Sequence, residues 1–173
     1  VLYGFIGRVN SLRLQGLRMN EVLTSYPEKN AFSEVIKATG RMGSLGSEVL
    51  GRTRIILDYP HNRLLIRKGM TFYSPFEFDM SGLILRKVPN EDNRIYVSDV
   101  RKESPAYLIG ILPFDEVLTI NKIPMFLWEL SEIFKLLRSE EGQEIQLEMR
   151  RYVGNDLTKY SDYKVSLFLK KQI

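Results

Sequence analysis

The sequence predicts a mainly β protein with two helices, divided near residue 78. Two observations carry this. Upstream, short apolar runs are punctuated by glycine and proline at strand spacing, as where Leu12 and Leu14 face one way and Arg13 and Gln15 the other. From Gly82 onward the pattern becomes regular: strand, turn, strand, short helix, strand, longer helix and closing strands.

In order along the chain, residues 1–9 read as a short strand ending near Gly7, Ser11–Gln15 as a half-buried strand, and Met19–Tyr26 as a third, less regular one. Pro27–Gly40 reads as a long loop with a short helix around Ser33–Lys37. Gly43 and Gly46 bracket a tight loop, and Ser47 is placed to cap a short helix. Thr53–Tyr59, with the apolar run Ile55–Ile56–Leu57, reads as a well-buried strand. It turns at Pro60–His61–Asn62 and pairs with Arg63–Arg67. The aromatic, proline-containing stretch Gly69–Phe78 reads as a linker between domains 1–78 and 79–173.

In the second part Leu83–Val88 and Arg94–Val100 read as strands joined by a turn at Pro89–Asn93. Ser104–Pro105–Ala106 opens a helix that Gly110 ends, because serine caps well and proline fits the first helical position. Pro113–Phe114–Asp115 turns into the strand Glu116–Ile120, and Asn121–Lys122 turns again. Glu129–Arg138 is the long helix, and Gln143–Arg150 and Tyr163–Leu169 close the module.

Composition narrows the function classes. The 173 residues are 44% apolar and 27% charged, a globular balance. The net charge of +4 is spread rather than clustered: Arg67–Lys68 and Lys170–Lys171 are pairs, not patches, so no nucleic-acid partner is expected. There is no cysteine and one histidine, which leaves no basis for a thiolate or multi-histidine metal site, and no cofactor is expected. No apolar run is long enough to span a bilayer, and no secretory signal pattern is present. The compartment is not specified; a signal peptide preceding this stretch would imply a secreted or cell-envelope location.

The run Ser104–Pro105–Ala106–Tyr107–Leu108–Ile109–Gly110–Ile111–Leu112–Pro113–Phe114–Asp115–Glu116–Val117–Leu118–Thr119–Ile120–Asn121 resembles the signature of PDZ domains. Phe114 stands where that family usually has glycine, so its turn must avoid positive φ or strain the phenylalanine. The resemblance covers about residues 79–173 and implies a PDZ-like, partly open β-barrel. It also implies binding of an extended peptide or protein C-terminus as an added strand. In that reading Met80–Ser81–Gly82–Leu83 is the loop that receives a terminal carboxylate, and Leu83–Ile84–Leu85 is the peptide-pairing edge. Ser81, Leu83 and Leu85 share one face. Leu130, Phe134 and Leu137 lie on one helical stripe that closes the groove, while Ile133 and Leu136 fill the core. Leu130 occupies the place of a family histidine, which implies an apolar ligand side chain. Periodicity alone favours reading the whole stripe as core, and it is the family resemblance that raises the groove reading. Glu77 and Asp79 flank the loop, and their charge opposes a carboxylate.

Residues 1–78 resemble the C-terminal part of a bacterial retropepsin-like aspartic protease with a trailing PDZ domain. The pieces are Gly7–Leu14, Gly43–Leu50, Ile55–Tyr59 and Pro75–Leu83. This implies an incomplete acid-protease-like β domain. Aspartic proteases share one proton between two carboxylates, each in an Asp-Thr-Gly or Asp-Ser-Gly turn, and the chain contains no such triplet. No catalytic residue is therefore assigned, and the chain is expected to be inactive although its parent resembles an endopeptidase. Asp58 reads as structural. His61 reads as an exposed turn residue, with no Gly-x-Ser-x-Gly elbow for it to serve. Trp128 reads as packing or as a ligand anchor.

The functional expectation is a module that captures or positions polypeptides for an attached aspartic protease. Two alternatives stay open: a non-enzymatic interaction module with the N-terminal half as platform, and a groove filled by the protein's own chain. Unpaired edges in the first half predict either pairing with a second copy as a homodimer, or disorder over residues 1–40.

Overall fold

The computed structural model describes residues 4–29, 34, 38–41, 43–89, 91–154 and 156–173, with residues 92 and 93 described by their backbone alone. The chain forms two compact units, Val1–Glu77 with Ile173, and Phe78–Gln172. The short helix expected around Ser33–Lys37 falls largely outside the described residues.

In the first unit β1 (Gly4–Leu14) and β2 (Leu17–Pro27) form one antiparallel hairpin. The two strands expected on either side of Gly7 are thus a single strand running through it. The hairpin turns on Gln15 and Gly16, at φ of 46° and 83°. Two successive positive φ values match the right-handed twist of the strands, which is why a glycine sits here. A four-residue helix, α1 (Ser47–Leu50), has Gly46 at its N-cap, so Ser47 is the first helical residue and does not cap it. The hairpin β3 (Thr53–Asp58) and β4 (Arg63–Lys68) forms as expected. Its burial does not: Ile56 and Leu57 are 61% and 58% exposed, and Leu64 and Leu65 are also exposed. The hairpin is a two-stranded sheet on its own, and no second layer covers it among the described residues.

The core of this unit is small. Met19, Val22, Val49, Phe72 and Phe76 are buried together. Phe72 and Phe76 lie in the stretch expected to be a linker, which is instead folded into the unit. Arg52 fixes it there. Its buried guanidinium donates to the carbonyls of Thr71 (3.2 Å), Ser74 and Pro75 (2.9 Å) and lies 3.9 Å from the centre of the Phe76 ring. A buried cation is tolerable here because carbonyl dipoles and a ring face replace its water. One hairpin packed on a five-residue core and a second, separate hairpin do not identify an acid-protease lobe.

The second unit is a sheet in the order β10-β9-β7-β6-β5. Its strands are β5 (Leu83–Val88), β6 (Glu91–Val100), β7 (Glu116–Ile120), β8 (Ile123–Pro124, paired to β7), β9 (Glu144–Val153) and β10 (Asp156–Phe168). Two helices complete it, α2 (Pro105–Leu108) and α3 (Leu130–Leu136). Three α-helices are thus delimited among the described residues, where two were expected, and residues 34 and 38 are helical as well. One core gathers Leu83 and Leu85 from β5, Ile95 and Val97 from β6, Val117 and Ile120 from β7, Ile145, Leu147 and Met149 from β9, and Ile133 from α3.

The ends of the helices follow the sequence chemistry. The Ser104 hydroxyl accepts the Tyr107 N–H at 3.2 Å, with proline first in the helix. Glu129 and Glu132 form a reciprocal capping box on α3. The Asn121–Lys122 turn has φ of 52° and 67°. Phe114 does adopt positive φ, at 73°, and the residue is 75% exposed. A bulky L-residue in that region costs about 1–2 kcal/mol, and a side chain this exposed gains little packing to offset it. Glycine removes the strain but gains chain entropy in the unfolded state. Phe114→Gly is therefore expected to stabilise the unit by about 0.5–1 kcal/mol, read as a higher midpoint in urea unfolding.

Candidate functional site

The candidate site is the β5 edge and the helix beside the same core. β5 pairs with β6 alone, so its other edge is open among the described residues. Its apolar side chains alternate as expected: Leu83 and Leu85 are buried and Ile84 is 42% exposed. Hydrogen bonds show which backbone groups face β6. The Gly82 carbonyl accepts from the Arg101 N–H at 2.9 Å, and the Ile84 carbonyl accepts from the Ser98 hydroxyl at 3.0 Å. The register irregularity after Ile84 lies on β6, where Ser98 is the extra residue. β5 itself stays regular, so the polar groups of Leu83 and Leu85 point to the open side.

The helix α3 presents a different stripe from the expected one. Ile133 is fully buried, as anticipated, but so is Leu137, at 2% exposure. Leu137 thus belongs to the core and its carbonyl accepts the Met80 N–H at 3.0 Å. Leu130 and Phe134 are half-buried at the margin of that core. Leu136, expected inside, is half-buried as well. Trp128 packs against the core with its indole N–H shielded and unpartnered among the described residues.

The loop before β5 is internally saturated. The Asp79 carboxylate accepts from the Ser81 N–H (3.2 Å), the Ser81 hydroxyl (2.5 Å) and the Gly82 N–H (2.8 Å). The Leu83 N–H goes to the Ser81 hydroxyl at 3.0 Å. Arg101 closes the network with a 2.5 Å contact to Asp79. Met80 and Ser81 are buried, at 6% and 0% exposure. Gly82 sits at φ 84°, and a Cβ there would fall 2.1 Å from the Ser104 Cβ. Sequence reading placed Asp79 beside the loop as a repelling charge. It missed that an aspartate can accept the amides two and three residues ahead of it, a short-range pattern legible in Asp79–Met80–Ser81–Gly82.

Away from the edge, a second network holds the turn before β7. Asp115 is 1% exposed. It accepts from Arg151 (2.6 and 2.7 Å), the Tyr163 hydroxyl (2.6 Å) and the Leu112 N–H (2.8 Å). Burial pushes its carboxyl up, and the Arg151, Tyr163 and Leu112 donors more than offset that, holding it below the usual carboxylate range. Burial, followed by the hydrogen bond to Asp115, drives the Tyr163 phenol upward. This network ties the turn between α2 and β7 to β9 and β10 and points no group at the β5 edge. A depression of about 390 Å³ lies over β7, β9 and β10, lined by Thr119, Lys122, Gln146, Glu148, Lys164 and Ser166. It is at the opposite end of the sheet order from β5.

Among the described residues no cluster of three His, Cys, Asp or Glu side chains forms a metal site, and no helix is long and apolar enough to cross a membrane.

No curated protein matches the chain. Similar solved structures include the PDZ domain of a carboxy-terminal protease from Vibrio cholerae in complex with peptide. It is 16% identical at TM-score 0.44, covering 55% of this chain and 96% of that one. The HtrA3 PDZ domain bound to a phage-derived ligand is 27% identical at TM-score 0.41, covering 55% and 88%. An HtrA-type protease with a decapeptide is 15% identical at TM-score 0.38; it covers 97% of this chain, which spans 41% of that protease. The retropepsin-like reading of residues 1–78 finds no support among these matches. The family model described as PDZ domain matches residues 96–151, about a third of the chain. That stretch carries the Ser104–Asn121 run, α2, β7, α3 and most of β9, and residues 96–151 are the part of the chain that matches a PDZ domain.

Proposed function

We propose that the second unit captures an extended polypeptide, adding it as a strand to the open edge of β5 with Leu130 and Phe134 of α3 receiving its side chains. The observation that carries this is the edge itself: a strand with one free side, paired to a stretch that matches the PDZ family model, beside half-buried apolar residues on a helix of the same core. Main-chain hydrogen bonds then supply affinity and the helix margin supplies selectivity. Leucine at position 130 favours an apolar ligand residue opposite it.

The test uses the whole 173-residue chain and peptides selected from a phage-displayed random library. Phe134→Ala is expected to raise the dissociation constant of a selected peptide by about 5–30-fold, the effect of truncating one aromatic anchor. The unfolding midpoint should change little, because Phe134 lies at the core margin. Unchanged affinity in the folded variant would remove the groove assignment.

In the fuller form of this reading the module positions polypeptides for a protease domain on the same gene product. The aspartic type rests on the upstream sequence pieces alone, and an Asp-Thr-Gly or Asp-Ser-Gly turn encoded ahead of Val1 is its check. Without such a turn, the first unit is a platform for a non-enzymatic interaction module. The exposed Ile56, Leu57, Leu64 and Leu65 of β3 and β4 favour pairing of the first unit with a second copy, since a lone hairpin is marginal in water. Sedimentation over a concentration series reads this directly: a monomer throughout rules it out.

A further inference from the structure

We infer that the groove takes an internal stretch of polypeptide rather than a chain terminus, and that Asp79 sets this choice; the inference rests on the strand-addition reading above. A terminal carboxylate needs free N–H donors at the loop before the pairing strand. Each backbone N–H is a single donor, and here all four at residues 80–83 are committed. Met80 donates to the Leu137 carbonyl, Ser81 and Gly82 to the Asp79 carboxylate, and Leu83 to the Ser81 hydroxyl. The cradle already holds a carboxylate, and it is the protein's own.

Displacing it would strip Asp79 of three donors and set a second negative charge beside it. The cation in the neighbourhood does not change this. Arg101 is held by Asp79 and by the Gln172 side-chain oxygen at 2.9 Å, and its guanidinium lies 4.3 Å from the Phe78 ring centre. The ladder groups beyond the loop are in a different position. The Leu83 carbonyl and the Leu85 N–H and carbonyl face the open side of an edge strand. A peptide can therefore pair along β5 and run on past Gly82, provided it carries no charge that must be met there.

The experiment selects random dodecapeptides on phage in two formats, one ending in a free carboxylate and one embedded between flanking segments. Binders are then synthesised as C-terminal acids and amides. For the whole native chain the acid and the amide of one peptide are expected to bind within about twofold of each other. Asp79→Ala frees the Ser81 and Gly82 amides, and the acid is expected to become about 5–10-fold tighter than the amide. An acid preference of tenfold or more in the native chain overturns the inference while leaving the groove intact, on the scale where tenfold is about 1.4 kcal/mol. An acid-to-amide ratio unchanged in a folded Asp79→Ala protein overturns the role of Asp79. If Asp79→Ala does not fold, the comparison in the native chain decides alone. Selection of no binder that depends on Phe134 overturns the groove reading itself, and this inference with it.

Discussion

Asp115→Ala is expected to lower the stability of the second unit by about 3 kcal/mol, the low end for breaking a buried ion pair. The carboxylate is 1% exposed and accepts from Arg151, Tyr163 and Leu112. Removing it leaves three donors facing a void. The upper end of the range does not apply, because the Arg151 side chain is 39% exposed and can turn to water. In a unit of this size the unfolding temperature should fall by roughly 12–24 °C. The pH dependence follows from the sign of the shift. The folded carboxyl titrates below its unfolded value, so its stabilisation is complete above about pH 4 and is lost as pH falls through the depressed folded value. Asp115→Asn removes that titration. Denaturant midpoints measured downward from neutral pH should decline for the native chain and converge on those of Asp115→Asn, which are lower at neutral pH and flatter. Parallel profiles for the two proteins would show that Asp115 is not the group being read.

Much of the second unit was legible because its signals are local. Ser104–Pro105 caps a helix, Asn121–Lys122 turns through positive φ, and alternation puts Leu83 and Leu85 on one face. The phase of α3 was not legible. The stripe through Leu130, Phe134 and Leu137 and the one through Ile133 and Leu137 differ by a fraction of a turn, and both are apolar. Only the position of the sheet puts Leu137 inside and Leu136 near the margin. The first unit failed for the opposite reason. Ile55–Leu57 looks like buried strand, yet burial needs a second layer, and none covers β3 and β4 among the described residues. Gly69–Phe78 looks like a linker because it has no period. What folds it is Arg52, which reaches carbonyls 19 to 23 residues away. Asp79 lies between these cases: the charge was read, and its three local acceptor contacts were not.

Gly82→Ala should be nearly as damaging as the loss of Asp115, at about 3 kcal/mol, and for a separable pair of reasons. The first is conformational: φ is 84°, and an L-residue there costs about 1–2 kcal/mol. The second is space. The new Cβ would lie 2.1 Å from the Ser104 Cβ and 2.0 Å from its Oγ, and Ser104 is fully buried, capping α2. Forcing a methyl into a packed site adds about 1–3 kcal/mol. Gly110 supplies the control, because its φ is 79° and nothing lies within 4 Å of its added Cβ. Gly110→Ala should therefore show the conformational cost alone, about 1 kcal/mol. The steric part can be removed in place. With Ser104→Gly the closest remaining clash is with the residue 104 Cα at 3.5 Å, an ordinary contact, and glycine still caps the helix to within a few tenths of a kcal/mol. In that background Gly82→Ala should cost about 1 kcal/mol, so the double-mutant cycle should return a coupling of about 2 kcal/mol between positions 82 and 104. Additive costs would mean that the loop moves away from Ser104 when it is crowded. The amides that Asp79 holds would then be mobile, and the closed cradle would not be a rigid feature of the fold.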